Sequence, residues 1–337
     1  MAVGAGGKHA LALLESGELY AWGDNGYGQL GDGTAKDRPR PQLIKSLSGK
    51  IVGLAVGAWH SMVFLESGEI CSWGDNTYGQ LGDGTTLNRV SPKLIRGIPG
   101  KVTGLAAGFF HSVAFTESGE VYGWGRNVEG QLGEGTTTDI ITPRLIKGIP
   151  SKVTGLAAGS FYSLALTEVG EVYGWGDNNE GQLGDGSFNS HIQPHLSESI
   201  PGKAVGLVSG SSHSMVLLES GEIYGWGMNR YGQLGDGTNQ RRNYPQLIKD
   251  IPQKVVGITA GDYHSLALLE SGTVYGWGDN SQGQLGGGQS KPVLFPKSIS
   301  KMDERFSFSF FGKGGKAVGF DELEKKFREL LSLEFIL

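Results

Sequence analysis

Tryptophan recurs in this chain with a period of 51 residues, as the pair Trp22 and Trp73 shows. An asparagine series that starts at Asn25 and a proline series that starts at Pro41 keep the same period through six units, without insertion or deletion. The tryptophan series comprises Trp22, Trp73, Trp124, Trp175, Trp226 and Trp277. Units of about 40–50 residues are typical of propeller blades and helical solenoids, in which each unit buries its apolar face against the next.

The interior of one unit favours strands over helices. In the fourth unit, residues 152–159 ("KVTGLAAG") form one short extended run, and residues 163–175 ("SLALTEVGEVYGW") form two more, joined by a turn at Gly170. The repeated motif "GQLGDG" contains too much glycine for a helix. The run after Pro41 is a fourth extended segment, because proline is tolerated at the start of a strand. Four short antiparallel strands per unit predict an all-β fold, a β-propeller of six blades. A derivative of a seven-blade parent that has lost one unit is the alternative.

The repeated words also predict the packing inside each blade. Trp175 is expected to lie between neighbouring blades, and Gly174 and Gly176 would allow the neighbouring backbone to approach it. Asn178 is expected to cap a turn with its own side chain, and Leu183 to be buried beneath the following loop.

The two ends of the chain predict how the ring closes. The first unit lacks most of its first strand, and residues 305–312 ("RFSFSFFG") follow the last such strand by 51 residues and alternate phenylalanine with serine. We therefore expect residues 1–312 to form the propeller, with 305–312 as its closing strand, because closure removes exposed sheet edges. Residues 313–337 are expected to form a tail whose segment 319–337 is an amphipathic helix. That helix either packs on the propeller or binds a partner.

Composition excludes several classes of function. The chain has 58 glycines but is 38% hydrophobic, which is typical of an ordered structure with many turns. A net charge of −5 without a basic cluster argues against nucleic acid as a partner. No apolar run is long enough to span a membrane, and no signal peptide is visible, so a cytoplasmic location is expected. The single cysteine, Cys71, excludes an internal disulfide framework.

Catalytic chemistry is not expected. Histidine occupies the same place in five units, the fourth unit has Tyr162 there, and one histidine per blade should not converge on a metal. We expect these histidines, namely His9, His60, His111, His213 and His264, to be half-buried and bonded to a backbone carbonyl. The acidic residues of the "GDG" words are assigned to turns. No phosphate loop, nucleophile elbow or carboxylate pair is present, so neither an enzyme, a metal nor a cofactor is predicted.

Positions at which the six units differ are not needed for the repeated framework and can therefore serve a specific function. In the loop before the histidine, four of six units carry an aromatic residue, and such residues are costly to expose without purpose. Equivalent loops of a propeller lie on one face, so we expect a partner-binding arc there, although packing of each ring onto its own blade is the alternative. The predicted binding residues are Lys8, Trp59, Phe109, Phe110, Phe161, Asp262 and Tyr263. A second variable place, after the repeated asparagine, predicts a rim formed by Tyr27, Tyr78, Glu129, Glu180, Arg230 and Tyr231.

The repeated words resemble the regulator of chromosome condensation repeat family, most clearly in "HSMVFLESGEICSWGDNTYGQLGDGT" (60–85). The resemblance implies a β-propeller, usually of seven blades. It also implies functions such as guanine-nucleotide exchange on the GTPase Ran with docking on nucleosomes, modules of ubiquitin ligases, or receptors. This chain has six uniform units, no inserted wedge and no basic N-terminal tail, so the resemblance transfers no catalytic residue.

A non-catalytic protein-interaction scaffold is therefore the predicted function. The partner is a protein of unknown identity, with a small GTPase as one candidate. The alternatives are an exchange factor for a small GTPase and a lectin-like carbohydrate-binding module. Nucleotide exchange would require an inserted β-wedge that presses against the GTPase. A lectin should instead have an equivalent aromatic pocket in every blade.

The predicted closing strand can be tested by deletion. Removing residues from Arg305 onward should leave two sheet edges exposed and promote aggregation, measured by size-exclusion chromatography and thermal unfolding. A monomeric truncated protein with an unchanged melting temperature would contradict the prediction.

Overall fold

The computed structural model describes residues 2–286 and 290–299, which form six four-stranded antiparallel sheets. The first blade contains β1 (Ala2–Ala5), β2 (His9–Leu13), β3 (Leu19–Gly23) and β4 (Arg38–Leu43). The second contains β5 (Ile51–Val56), β6 (His60–Leu65), β7 (Ile70–Gly74) and β8 (Arg89–Ile95). The third contains β9 (Val102–Ala107), β10 (His111–Thr116), β11 (Val121–Gly125) and β12 (Ile140–Ile146).

The remaining three blades repeat this arrangement. The fourth contains β13 (Val153–Ala158), β14 (Tyr162–Thr167), β15 (Val172–Gly176) and β16 (His191–Leu196). The fifth contains β17 (Ala204–Ser209), β18 (His213–Leu218), β19 (Ile223–Gly227) and β20 (Arg242–Leu247). The sixth contains β21 (Val255–Ala260), β22 (His264–Leu269), β23 (Val274–Gly278) and β24 (Val293–Ser298).

Each sheet follows the chain order from its first strand to its fourth, so the predicted six-blade, four-strand propeller is confirmed. The described residues give no support to the seven-blade alternative. The predicted closing strand at 305–312 and the predicted helix at 319–337 lie outside the described residues. Between residues 2 and 299, apart from 287–289, no helix is long and apolar enough to cross a membrane.

The strand directions define two faces of the propeller. First strands of consecutive blades contact one another, as β5 contacts β9 and β9 contacts β13, so these strands lie innermost. The fourth strands, with their exposed side chains, lie at the outside. Because the strands of a blade alternate in direction, the loops from first to second strand and from third to fourth strand share one face. We call this the upper face.

The series tryptophans fill the junctions between blades. Trp175 is fully buried, and its indole Nε1–H donates to the carbonyl of Gln131 in the preceding blade at 2.9 Å. A Cβ on Gly133 would lie 2.6 Å from the Trp175 ring, so glycine is required for this approach. The Cβ position of Gly176 lies 2.5 Å from the carbonyl oxygen of Phe161, whereas Gly174 makes room for Leu164 and Leu183 side chains instead of backbone.

The predicted asparagine cap is confirmed. Asn178 Oδ1 accepts a hydrogen bond from the amide of Leu183 at 3.0 Å, and Asn178 Nδ2 donates to Asp185 Oδ1 at 3.0 Å. Asp185 in turn accepts from the amide of Ser187 at 2.9 Å, and Leu183 is fully buried. The acidic residue of the "GDG" word therefore serves the turn, as predicted.

Four of the five series histidines, namely His9, His60, His111 and His213, are more buried than predicted and have a different partner, whereas His264 is half-buried as expected. His60 is fully buried, and its Nε2 lies 2.9 Å from Oγ of Ser112 in the next blade. Ser112 Oγ donates its single hydrogen to the carbonyl of Gln80 at 2.8 Å, so it must accept from His60 Nε2–H. The expected half-buried histidine bonded to a carbonyl is thus corrected to a neutral, buried histidine bonded to a hydroxyl of the next blade.

Tyr162 in the fourth blade maintains the same junction by different chemistry. Its hydroxyl donates to the carbonyl of His213 at 2.6 Å and lies 3.0 Å from Ser214 Oγ, which donates its own hydrogen to the carbonyl of Gln182 at 2.8 Å. Every blade from the first to the fifth is therefore bonded to the next by the residue at this position, through pairs of the same kind as His9–Ser61, His111–Ser163 and His213–Ser265.

The tryptophan junctions should dominate stability. Trp175→Ala is expected to lower the free energy of unfolding by about 3–5 kcal/mol, because it removes a fully buried large aromatic side chain. Trp59→Ala should lower it by much less, because Trp59 lies half-buried on the upper face. Denaturant unfolding of both variants measures the difference, and equal losses would contradict this assignment of Trp59.

The buried histidines should make the fold sensitive to acid. Burial lowers the pKa of His60, His111 and His213 to about 3 and that of His9 to about 4, whereas in the unfolded chain each titrates near about 6.5. The unfolded state therefore binds more protons as the pH falls below about 6.5, and stability should decrease by about 1.4 kcal/mol per histidine and pH unit.

Denaturant unfolding between pH 7 and pH 5 measures this loss. The double variant His60→Gln, His111→Gln provides the control, and its stability should fall less steeply with pH than that of the wild type. Identical slopes for the two proteins would show that other groups cause the acid sensitivity.

Candidate interaction face

The predicted binding residues all lie on the upper face. Trp59, Phe110, Phe161 and Tyr263 each come directly before the second strand of their blade, because the short loop from the first strand ends there. Backbone hydrogen bonds connect these loops across the first three blades and across the last three, as from Ala58 N to the Gly108 carbonyl at 3.3 Å. Within each of these two groups the loops are therefore fixed relative to one another.

The predicted binding arc and the predicted rim contact each other across the blades. Tyr27 of the first blade packs edge-on against Trp59 of the second, with 5.7 Å between ring centroids. Tyr78 packs in the same way against Phe110 of the next blade at 5.2 Å. The fifth and sixth blades repeat the contact through Tyr231 and Tyr263 at 5.3 Å. The sequence predicted two separate sets, whereas the structure unites them in one aromatic band.

The band is densest between the second and fourth blades. Phe109 packs edge-on against Phe110 at 6.3 Å and against Phe161 at 6.0 Å. The guanidinium of Arg126 lies over the Phe161 ring, 4.7 Å from its centroid, and 6.0 Å from the centroid of the Tyr78 ring. Serine at position 212 interrupts the band in the fifth blade. The surface is thus asymmetric and is not a repeated set of pockets.

The rings combine packing with exposure. Tyr27 is 45% exposed and Tyr263 is 38% exposed, while Trp59, Phe110 and Phe161 are half-buried. Each anchor therefore rests on a neighbouring ring and still presents part of its surface. The rings are therefore neither fully exposed for binding nor buried on their own blades, because contacts between rings hold them in place without covering them.

Charged residues flank the band. Lys8 and Asp262 are exposed on equivalent loops of the first and sixth blades. Arg230 is also exposed. Glu180 lies 3.9 Å from the guanidinium of Arg241, whose side chain also donates to the carbonyl of Asn179 at 2.6 Å.

Arg126 and Phe188 are two upper-face residues that were not predicted from the sequence. Phe188 is 40% exposed and lies under the guanidinium of Arg241, 4.3 Å from its ring centroid. Arg126 occupies a position where four of the six units have aspartate. Comparing the six units at the position directly before the repeated asparagine would have identified Arg126.

Within the described ranges, no group of three or more histidine, cysteine or acidic side chains could hold a metal ion. His191 and His195 stack in parallel at 4.0 Å on β16, and His191 Nε2 lies 2.6 Å from Asp185 Oδ2, so this pair belongs to the turn and strand framework. Cys71 is buried, and burial raises the pKa of its thiol, which disfavours the reactive thiolate.

The chain belongs to the regulator of chromosome condensation (RCC1) repeat family. The family model for the RCC1 repeat matches six segments, namely 16–64, 67–115, 118–166, 169–217, 220–268 and 271–310. A second model with the same description matches another six segments between residues 2 and 284. These matches confirm the family that the repeated words resemble.

Curated relatives differ widely in length. The ultraviolet-B receptor UVR8 of Arabidopsis thaliana is 33% identical over 358 residues, which cover 89% of this chain and 81% of the receptor. The human E3 ubiquitin-protein ligase HERC2 is 33% identical over 307 residues, which cover 88% of this chain but only 6% of the ligase. The chain thus corresponds to a small part of that ligase.

Solved structures share the fold at lower sequence identity. Human WBSCR16 superposes with a TM-score of 0.82 and 24% identity, covering 89% of this chain and 81% of that chain. Prp20p from Saccharomyces cerevisiae, whose structure was described with its binding properties to Gsp1p and histones, gives a TM-score of 0.79 and 24% identity. This superposition covers 98% of this chain and 85% of Prp20p.

Proposed function

We propose that this protein is a non-catalytic interaction platform that binds another protein through the aromatic band of its upper face. The observation that carries the proposal is the band itself. It is an asymmetric series of partly exposed aromatic rings that contact one another across neighbouring blades and are densest between the second and fourth blades. Aromatic anchors surrounded by polar groups are typical of the energetic centre of a protein interface.

Rigidity supports this assignment. The anchors sit on loops that are bonded from blade to blade, so little conformational entropy is lost when a partner orders them. Lys8, Asp262 and Arg230 lie exposed around the band, where charges chiefly influence the rate of association. The propeller supplies the frame, and the variable loops supply the specificity.

The relatives are consistent with a protein partner but do not identify it. A yeast RCC1 protein, Prp20, has been crystallised bound to Kap60, and the binding of Prp20p to Gsp1p and histones was studied with its structure. The similarity of this chain to those structures concerns the fold. Exchange on a small GTPase therefore remains the alternative activity, and the unequal spacing of the rings makes a lectin-like module the weaker one.

The anchors should control partner affinity. The partner is first identified by affinity capture with the intact chain, and its dissociation constant is then measured by calorimetry. Phe110→Ala should weaken binding by about 2 kcal/mol or more, which is roughly 30-fold, because Phe110 lies at the centre of the band. Most of the change should appear in the dissociation rate.

Val169→Ala provides a matched control for this measurement. Val169 is 55% exposed in the hairpin between β14 and β15, which lies on the opposite face, so its truncation should leave the affinity unchanged. An equal loss for both variants would refute the proposed face. A nucleotide-release assay with a captured GTPase decides the main alternative, since accelerated release that is insensitive to Phe110→Ala would refute both the platform and its site.

A further inference from the structure

The position before the repeated asparagine carries a carboxylate in four of the six blades. There the aspartate accepts a hydrogen bond from the side-chain amide of a buried glutamine five residues later, as Asp75 accepts from Gln80 Nε2 at 2.6 Å. The equivalent pairs are Asp24–Gln29, Asp177–Gln182 and Asp279–Gln284. Each glutamine also accepts through Oε1 from the amide two residues before it, which fixes the orientation of its side chain.

The third blade has a cation in place of this carboxylate. Gln131 has the same orientation as its equivalents, because its Oε1 accepts from the amide of Glu129 at 2.9 Å. Its Nε2 therefore faces the place where the other blades hold an aspartate, but that place belongs to Arg126. In the part of the chain that the structure describes, the buried Nε2 of Gln131 has no hydrogen-bond partner.

Arg126 contributes a second donor without a partner at the same place. Its Nη1 is buried and has no hydrogen-bond acceptor among the described residues, although its guanidinium lies over the Phe161 ring. Its Nη2 lies 3.8 Å from Glu129 Oε1, which is beyond hydrogen-bond distance. The Arg126 side chain is 18% exposed, whereas its Nη1 and the Nε2 of Gln131 are buried, so an acceptor reaches these two donors when the Arg126 side chain shifts toward the upper face.

We propose that Arg126 and Gln131 form a recess that receives the carboxylate of an aspartate or glutamate from the bound partner. The incoming carboxylate would lie against the guanidinium of Arg126, which stands where four other blades have an aspartate, and would accept from Arg126 Nη1 and Gln131 Nε2 after the Arg126 side chain shifts. The partner segment is therefore an acidic residue flanked by apolar or aromatic side chains, since Phe161 and Tyr78 border the recess. This proposal rests on the proposed function, because it assigns chemistry to part of the same face.

The fifth blade supplies a natural comparison. Met228 replaces the aspartate there, and Gln233 Nε2 likewise has no partner within the described ranges. That recess has an unpaired amide but no cation and borders no aromatic cluster of the same density. Burying a carboxylate beside an amide alone is unfavourable, whereas a guanidinium makes the hydrogen bonds charge-assisted. Only the third blade is therefore expected to bind an anion.

Side-chain NMR of the full-length protein tests the recess. The probes are a terminally blocked Phe-Asp-Phe tripeptide and its Phe-Asn-Phe analogue, and the signals followed are the Gln131 side-chain amide and the Arg126 Nε–H. The acidic peptide should shift both signals to saturation, and the asparagine peptide should bind at least tenfold more weakly. Glu129→Gln should strengthen binding of the acidic peptide, because it removes the competing carboxylate.

Two variants control for folding. Arg126→Asp installs the residue that four other blades carry, so the protein should keep or raise its melting temperature while losing the preference for the acidic peptide. Met228→Asp makes the same repair in the fifth blade and should leave peptide binding unchanged. Equal affinity for the two peptides, no shift of the Gln131 amide, or an unchanged preference in Arg126→Asp would each overturn the proposal.

Phe110→Ala separates this proposal from the proposed function. If Phe110→Ala weakens both peptides but the wild type does not distinguish them, the aromatic face stands and the carboxylate recess is wrong. If the wild type prefers the acidic peptide and Phe110→Ala changes neither affinity, the recess stands and the aromatic face is wrong.

Discussion

A single backbone carbonyl holds together each of the five junctions between consecutive blades from the first to the sixth. The Gln80 carbonyl accepts from Trp124 Nε1 at 2.9 Å and from Ser112 Oγ at 2.8 Å, and both donors come from the next blade. Ser112 in turn accepts from His60, which belongs to the same blade as Gln80. Both lone pairs of a buried carbonyl are thereby used, and a buried carbonyl left unpaired would be costly. The same two donors, a tryptophan and a serine, recur at the carbonyls of Gln29, Gln131, Gln182 and Gln233, with Tyr162 in place of the histidine at Gln182.

The glutamine that provides this carbonyl also organises the upper face. Its side chain accepts from the loop amide two residues before it and donates to the aspartate at the start of that loop, as Gln80 does with Tyr78 and Asp75. Backbone and side chain of one residue thus connect the core junction to the loop that carries the rim residues. Because Tyr78 then contacts Phe110 of the next blade, the position of the aromatic band follows directly from the junction below it.

Much of this architecture could be predicted from the sequence because it repeats. The period, the four strands, the buried Trp175 and the Asn178 cap each depend on residues within one unit or at a fixed place between units. The partner of His60 could not be predicted, because Ser112 lies 52 positions away and no pattern within a unit relates the two. The contact between Tyr27 and Trp59 was missed for the same reason, since it depends on how neighbouring blades are staggered.

A residue that departs from the repeat indicates a function when it leaves buried hydrogen-bond donors without an acceptor. Tyr162 departs from the histidine series, but its hydroxyl donates to the carbonyl of His213 in the next blade, so the blade itself compensates for the change. Arg126 also departs from its series, yet the described structure leaves both its Nη1 and the Nε2 of Gln131 without an acceptor. A buried donor without a partner costs about 1–3 kcal/mol, and more if it is charged. An acceptor supplied by a bound partner would recover this free energy, which is the physical reason for proposing that Arg126 serves binding instead of folding.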